Sequence, residues 1–127
     1  MHSKWNLLMV AALGWSTLAG AADLTIHLSG SQPISRKTVQ YQCDGQAAAT
    51  GLPATAFPVE YINGAGNSLV IVPVHGTSLI FTNVTSGSGA RYAAGQYIWW
   101  DAAGSVNFYS DSLAGKTQSA CQRVNAT

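Results

Sequence analysis

Over much of the chain, hydrophobic residues fall at every second position. Residues 37–43 put Val39, Tyr41 and Cys43 on one side of an extended segment, because successive strand side chains point to opposite faces. Residues 24–28, Leu-Thr-Ile-His-Leu, alternate in the same way. Residues 67–74 and 78–84 are short, β-branched and apolar. Residues 96–101 carry Tyr97, Ile98, Trp99 and Trp100, and residues 105–110 carry Val106, Phe108 and Tyr109. Past the first 21 residues no window sustains apolar positions at i, i+3, i+4 and i+7, so the pattern predicts strands and no amphipathic helix.

Turn chemistry separates these segments. Asn63-Gly64-Ala65-Gly66 and His75-Gly76-Thr77 are turn clusters. Asp101-Ala102-Ala103-Gly104 has Asp first and Gly fourth, the signature of a type I turn. Strands at this spacing predict an all-β antiparallel meander. The near-continuous apolar run over 69–74 needs cover on both faces. A small closed barrel supplies that cover and leaves no open edge; a sandwich is the other arrangement. Residues 44–53, DGQAAATGLP, fit a loose loop or a short helix over 46–50, and the pattern does not choose. Nor does it decide whether residues 22–35 form a first strand or a loose leader. In the aromatic string, Tyr97 and Trp99 share one face, Ile98 and Trp100 the other. One pair belongs to the core. The other, if exposed, would suit stacking on a sugar ring, although apolar neighbours on both sides favour burial of all four.

The N-terminus changes the setting. Lys4, an apolar run over 7–15 and Ala19-Gly20-Ala21 make a signal peptide over residues 1–21, cut after Ala21. That run is shorter than the roughly 20 residues a bilayer span needs. No cysteine near the cut offers a lipid attachment point, so the expectation is a periplasmic protein with no membrane anchor and a single domain over 22–127. There, Arg36, Lys37, Arg91, Lys116 and Arg123 balance Asp23, Asp44, Glu60, Asp101 and Asp111. Only 9% of the chain is charged and 47% is hydrophobic, which excludes a disordered charged tail and a coiled coil. Without clustered Lys and Arg the chain is also a poor nucleic-acid binder. Cys43 and Cys121 are the two cysteines; an even count in an exported chain reads as one disulfide. A reactive thiol pair or a metal site lacks C-x-x-C spacing, and His27 and His75 fall in unrelated segments.

No constellation for catalysis stands out, and no cofactor or metal is called for. The five carboxylates are widely spaced, Ser86-Gly87-Ser88-Gly89 lacks the first glycine of a nucleophile elbow, and no phosphate loop occurs. The informative segment is TSGSGARY, residues 85–92. Gly87 and Gly89 allow close approach by a partner, and Ser88, Arg91 and Tyr92 present donors. Such a loop suits a narrow, acceptor-rich cleft; an ordinary hairpin loop with Tyr92 packed over a barrel mouth is the plainer account of the spacing.

NSLVIVPV (67–74), LIFTNVTSGSGARYAAGQYIWW (79–100) and the late Cys121 resemble the bacterial inhibitors of c-type lysozyme of the MliC/PliC type. The resemblance runs over roughly residues 37–123; its S-G-x-x-Y element, here Ser88-Gly89-Ala90-Arg91-Tyr92, is short, and its position before the G-Q-Y-I-W-W strand makes the match specific. It implies an eight-stranded antiparallel barrel closed by Cys43–Cys121, with c-type lysozyme as partner. The Ser88 loop would enter the lysozyme cleft, its hydroxyl bonding the catalytic carboxylates and Arg91 and Tyr92 shaping the contact. Three features depart from the family. Its second loop, W-x-K-G, carries a lysine where this chain has Ala102 within Trp100-Asp101-Ala102-Ala103-Gly104, and Asp101 adds a negative charge. Losing a desolvated charge pair costs about 2–5 kcal/mol, on the order of 30- to 4000-fold in affinity, which Arg91 would offset in part. The stretch after Cys43 is longer than the family's short turn, and the near-neutral charge gives little attraction to a basic lysozyme at a distance. The resemblance thus implies a non-enzymatic lysozyme inhibitor. The absent lysine keeps a second expectation alive, a periplasmic or surface module binding a glycan or host protein through Tyr97, Trp99 and the loops.

Overall fold

The computed structural model describes residues 20–30, 32–113 and 117–124. Eight antiparallel strands form a closed barrel in sequence order. They are β1 (Ser35–Cys43), β2 (Phe57–Gly64), β3 (Asn67–Val74), β4 (Thr77–Val84), β5 (Ala90–Ala94), β6 (Tyr97–Ala102), β7 (Ser105–Ser110) and β8 (Gln118–Arg123). A one-turn helix α1 (Ala47–Thr50) lies between β1 and β2, and a 3-10 turn (Asp111–Leu113) follows β7. The expected meander is therefore closed on itself, and the sandwich is excluded.

Alternation builds the interior. Tyr41, Val59, Val70, Val72, Phe81, Trp99, Val106 and Phe108 are all 0% exposed, each worth roughly 1.5–3 kcal/mol when fully buried. Trp99 sits among rings, edge-on to Tyr41 at 5.1 Å and close to Phe108 at 6.2 Å. Such pairs add about 0.5–1.5 kcal/mol beyond burial. The closing seam is short: β1 and β8 pair only at Tyr41↔Arg123, Gln42↔Gln122 and Cys43↔Cys121. The disulfide Cys43–Cys121 joins the last of these pairs across 78 residues of sequence, so the covalent link lies where ladder hydrogen bonds are few.

Residues 44–53 resolve in favour of the helix. Gly51 ends α1 at φ 96°, and the His75 ring fills the space a Cβ would take there, its Nε2 2.6 Å away. Ala47 and Leu52 are buried in the core, so the helix plugs one end of the barrel. Asp44 fastens it to the seam: Oδ1 accepts from Gln46 N and Ser119 Oγ, and Oδ2 accepts from Ala120 N at 3.1 Å. These bonds, the one from Ala120 first, hold its carboxyl below the usual range for aspartate.

Two readings of the sequence need correction. Residues 24–28 form no strand, and Leu24, Ile26 and Leu28 are 68%, 62% and 40% exposed. A barrel closed through β1 and β8 has no edge to pair with them. Asp101 does not open a turn. The ladder runs through Ala102↔Ser105, and the turn is Ala103-Gly104 with φ 55° and 85°. Two consecutive positive φ values mark the type I′ hairpin, whose twist matches the flanking strands. Ala65-Gly66 and His75-Gly76 turn in the same way, at φ 52° and 77° and at 49° and 75°. The signal peptide expected over 1–21 lies, but for its last two residues, outside the described residues.

Candidate functional site

The β4–β5 loop (residues 85–89), the β6–β7 turn, the start of β1 and the end of β8 all lie at one end of the barrel, opposite α1. Ser88 is exposed at the loop, and its backbone is held from two sides. The Trp100 indole N–H donates to the Ser88 carbonyl at 2.9 Å, and Ser86 Oγ donates to the Gly89 carbonyl at 3.0 Å. Gly89 has φ +63°, and a Cβ there would lie 2.5 Å from the Asp101 carbonyl and 3.0 Å from Ala102 Cα. Only glycine lets this loop rest against the end of β6. The hydroxyl is thus carried by a fixed backbone with its side chain in solvent. Trp100 holds the loop because β5 and β6 pair Arg91 with Trp100, which sets the outward indole beside the loop that precedes β5.

The other expected site residues are placed differently. Tyr92 is 5% exposed and packs in the interior against Tyr61, rings 6.1 Å apart. It supports the base of the loop from inside, as the plainer account of the spacing had it. Arg91 lies along the outer wall, its guanidinium 5.7 Å from the Trp100 ring centroid and Nη2 4.0 Å from Asp111 Oδ2. Its Nε is buried without a partner. Arg91 braces Trp100 from the outer wall. Ala102 and Ala103 end β6 and begin the turn, next to the loop.

Asp101 points into the barrel mouth, its side chain 14% exposed. Its Oδ2 accepts from the Tyr61 hydroxyl at 3.0 Å and lies 3.8 Å from Arg123 Nη2. Tyr61 has one proton and gives it to Asp101, so it accepts from the Trp99 indole at 3.1 Å and from the Tyr41 hydroxyl at 2.7 Å. Burial, then the hydrogen bond with Tyr41, pushes the Tyr61 phenol far above its usual range, and burial also raises Tyr41. Both phenols stay protonated. The hydrogen bond with Tyr41 and then its charge interactions, Asp101 among them, push Arg123 upward. The negative charge expected from Asp101 beside the site is therefore met by a cation. Tyr61, Tyr41 and Arg123 were not legible as site residues; Tyr61 and Arg123 follow only from the closure of β1 on β8.

The MliC family, described as membrane-bound lysozyme-inhibitor of c-type lysozyme, matches residues 41–113. The chain belongs to this family. Among curated proteins it is 40% identical over 92 residues to the membrane-bound lysozyme inhibitor of C-type lysozyme of Pseudomonas aeruginosa. It is 32% identical over 92 residues to the protein of that name in Cupriavidus necator. Each match covers 72% of this chain and 66% of the relative's length. Among solved structures it resembles Pseudomonas aeruginosa MliC crystallised in complex with hen egg white lysozyme. The TM-score is 0.65 at 35% identity, over 83% of this chain and 99% of that one.

Trp99 is 0% exposed and Tyr97 stacks on Phe108 at 5.7 Å, so Trp99 offers no platform for a sugar. Among the described residues no group of three or more His, Cys, Asp or Glu is placed to hold a metal, and no helix is long and apolar enough to cross a membrane.

Proposed function

We propose that this protein is an exported inhibitor of c-type lysozyme that binds by inserting the Ser88 loop into the lysozyme active-site cleft. It catalyses nothing itself. The observation that carries the reading is the construction of the loop: an exposed hydroxyl on a backbone fixed by Trp100 and by the contact of Gly89 with β6. Fixing a loop in advance lowers the ordering cost of binding. A lysozyme cleft holds two carboxylates, and a neutral hydroxyl donates to either one without importing charge. The likeness to a relative crystallised with hen egg white lysozyme supports the same partner. Ser88, Gly89 and the Asp101–Ala103 segment form the contact in this reading, with Arg91 and Tyr92 as its supports. In this reading residues 1–21 direct export to the periplasm.

The test is the rate of cell-wall lysis by hen egg white lysozyme with increasing purified protein and its Ser88→Ala variant. The wild type should inhibit. Ser88→Ala should weaken inhibition roughly tenfold or more, since a hydrogen bond to a charged group is worth about 1.5–3 kcal/mol. Equal inhibition by the two would reject the loop assignment.

A further inference from the structure

We propose that Arg123, the last residue of β8, supplies the cation this barrel offers to an acidic cleft, in the place left by the alanine at position 102. The inference rests on the inhibitor reading above. Arg123 Nη2 is 3.8 Å from Asp101 Oδ2, and Asp101 adjoins Ala102, whose Cα lies 3.0 Å from the Cβ position of Gly89. A chain of contacts therefore links the Ser88 loop, the end of β6 and the Arg123 guanidinium. The pair is also oriented: the Asp101 side chain is 14% exposed, whereas that of Arg123 is 45% exposed. The carboxylate is held inward by Tyr61, and the guanidinium faces solvent.

The other described cations are less suited. Arg91 is committed to the Trp100 ring and to Asp111. Arg36 is bonded to Glu60 at 2.7 Å on the outer wall. Lys37 is exposed near the same mouth, opposite Tyr61 on β1, but among the described residues no carboxylate seats it as Asp101 seats Arg123. A guanidinium has five donors in a planar fork, so it can keep one carboxylate while binding another. Asp101 thus acts as a seat: it holds Arg123 at the mouth and offsets its charge until an acidic partner supplies a second carboxylate. The cation has moved from a turn side chain to the end of the closing strand.

The experiment measures inhibition constants against hen egg white lysozyme at low and moderate salt, with melting temperatures for every variant. Arg123→Gln should weaken inhibition at least 30-fold, and Arg123→Lys should retain most of it. Arg36→Gln removes the same charge from the outer wall and should change inhibition less than threefold, as expected for a charge outside the contact. Ala102→Lys should restore at least tenfold in the Arg123→Gln background and improve the wild type much less, since the two cations serve one position. If Arg123→Gln unfolds, Arg123→Met, which keeps the apolar stem, takes its place. Wild-type inhibition by the Arg123 variant, a loss equal to that of Arg36→Gln, or an equal gain from Ala102→Lys in both backgrounds would overturn the inference and leave the inhibitor reading standing. A wild type that does not inhibit would overturn both.

Discussion

Gly89 is where the loop and the second turn meet, and three glycine-to-alanine changes separate what it contributes. Gly87 has neither a positive φ nor any atom within 4 Å of a built Cβ; Gly95 has φ +55° and open space; Gly89 has φ +63° with the Asp101 carbonyl 2.5 Å from the Cβ position. Gly87→Ala should be close to neutral. Gly95→Ala should cost about 1–2 kcal/mol, the penalty for alanine in the left-handed region. Gly89→Ala carries the same penalty plus a backbone contact that only movement of the loop relieves, for a total of roughly 2–4 kcal/mol. For a domain of this size each kcal/mol lowers Tm by about 4–8 °C, so the melts should fall in the order Gly87→Ala, Gly95→Ala, Gly89→Ala. Inhibition separates the last two: Gly95 lies at the far end, and its variant should inhibit lysozyme like the wild type, while Gly89→Ala should lose inhibition at temperatures where it is fully folded. If Gly89→Ala melts with Gly95→Ala and inhibits equally well, the contact does not position the loop.

Three further outcomes follow from the geometry. Reducing Cys43–Cys121, which closes 78 residues, should cost about 4–5 kcal/mol on the chain-entropy account, read as the shift in denaturant midpoint with and without reductant. The folded pKa of Asp44 is lowered, so its contribution is complete above the unfolded value near 4 and is lost as pH falls through the folded value; Asp44→Asn should flatten that part of the acid-unfolding curve and lower stability at neutral pH. Trp100→Phe removes the donor to the Ser88 carbonyl; it should cost about 0.5–1.5 kcal/mol and weaken inhibition, and an unchanged inhibition constant would mean the loop is ordered without it.

Much of the barrel could be read from alternation. β3, β4, β6 and β7 each put large apolar residues inward at every second position, and burial follows that pattern at Val70, Val72, Phe81, Trp99, Val106 and Phe108. β8 escaped because its inward residues are Ser119 and Cys121, both 0% exposed, and the Ser119 hydroxyl is satisfied by Asp44 from the other side of the seam. β5 escaped because Tyr92 is its one large inward side chain. Residues 24–28 misled for the opposite reason: alternation marks a segment able to pair, and closure decides which segments do. The Asp101 turn was shifted by a residue because Ala103 takes the left-handed position usually held by asparagine. The exposed Ser88 could be read from its glycines. Of the partners that fix the mouth, Trp100 and Ser88, 12 residues apart, meet through the register of the β5–β6 hairpin, whereas Asp101 meets Tyr61 and Arg123, 40 and 22 residues away, through the register of the closed sheet.

The account stands on occupation of the lysozyme cleft by the loop, and competition with an oligosaccharide measures that directly. The dissociation constant of the wild-type protein for hen egg white lysozyme is determined alone and with an N-acetylglucosamine oligomer at about 100 times its own dissociation constant. A plug in the cleft predicts an apparent affinity about 100-fold weaker, by mass action. An unchanged affinity, with sugar and protein bound together, would contradict it.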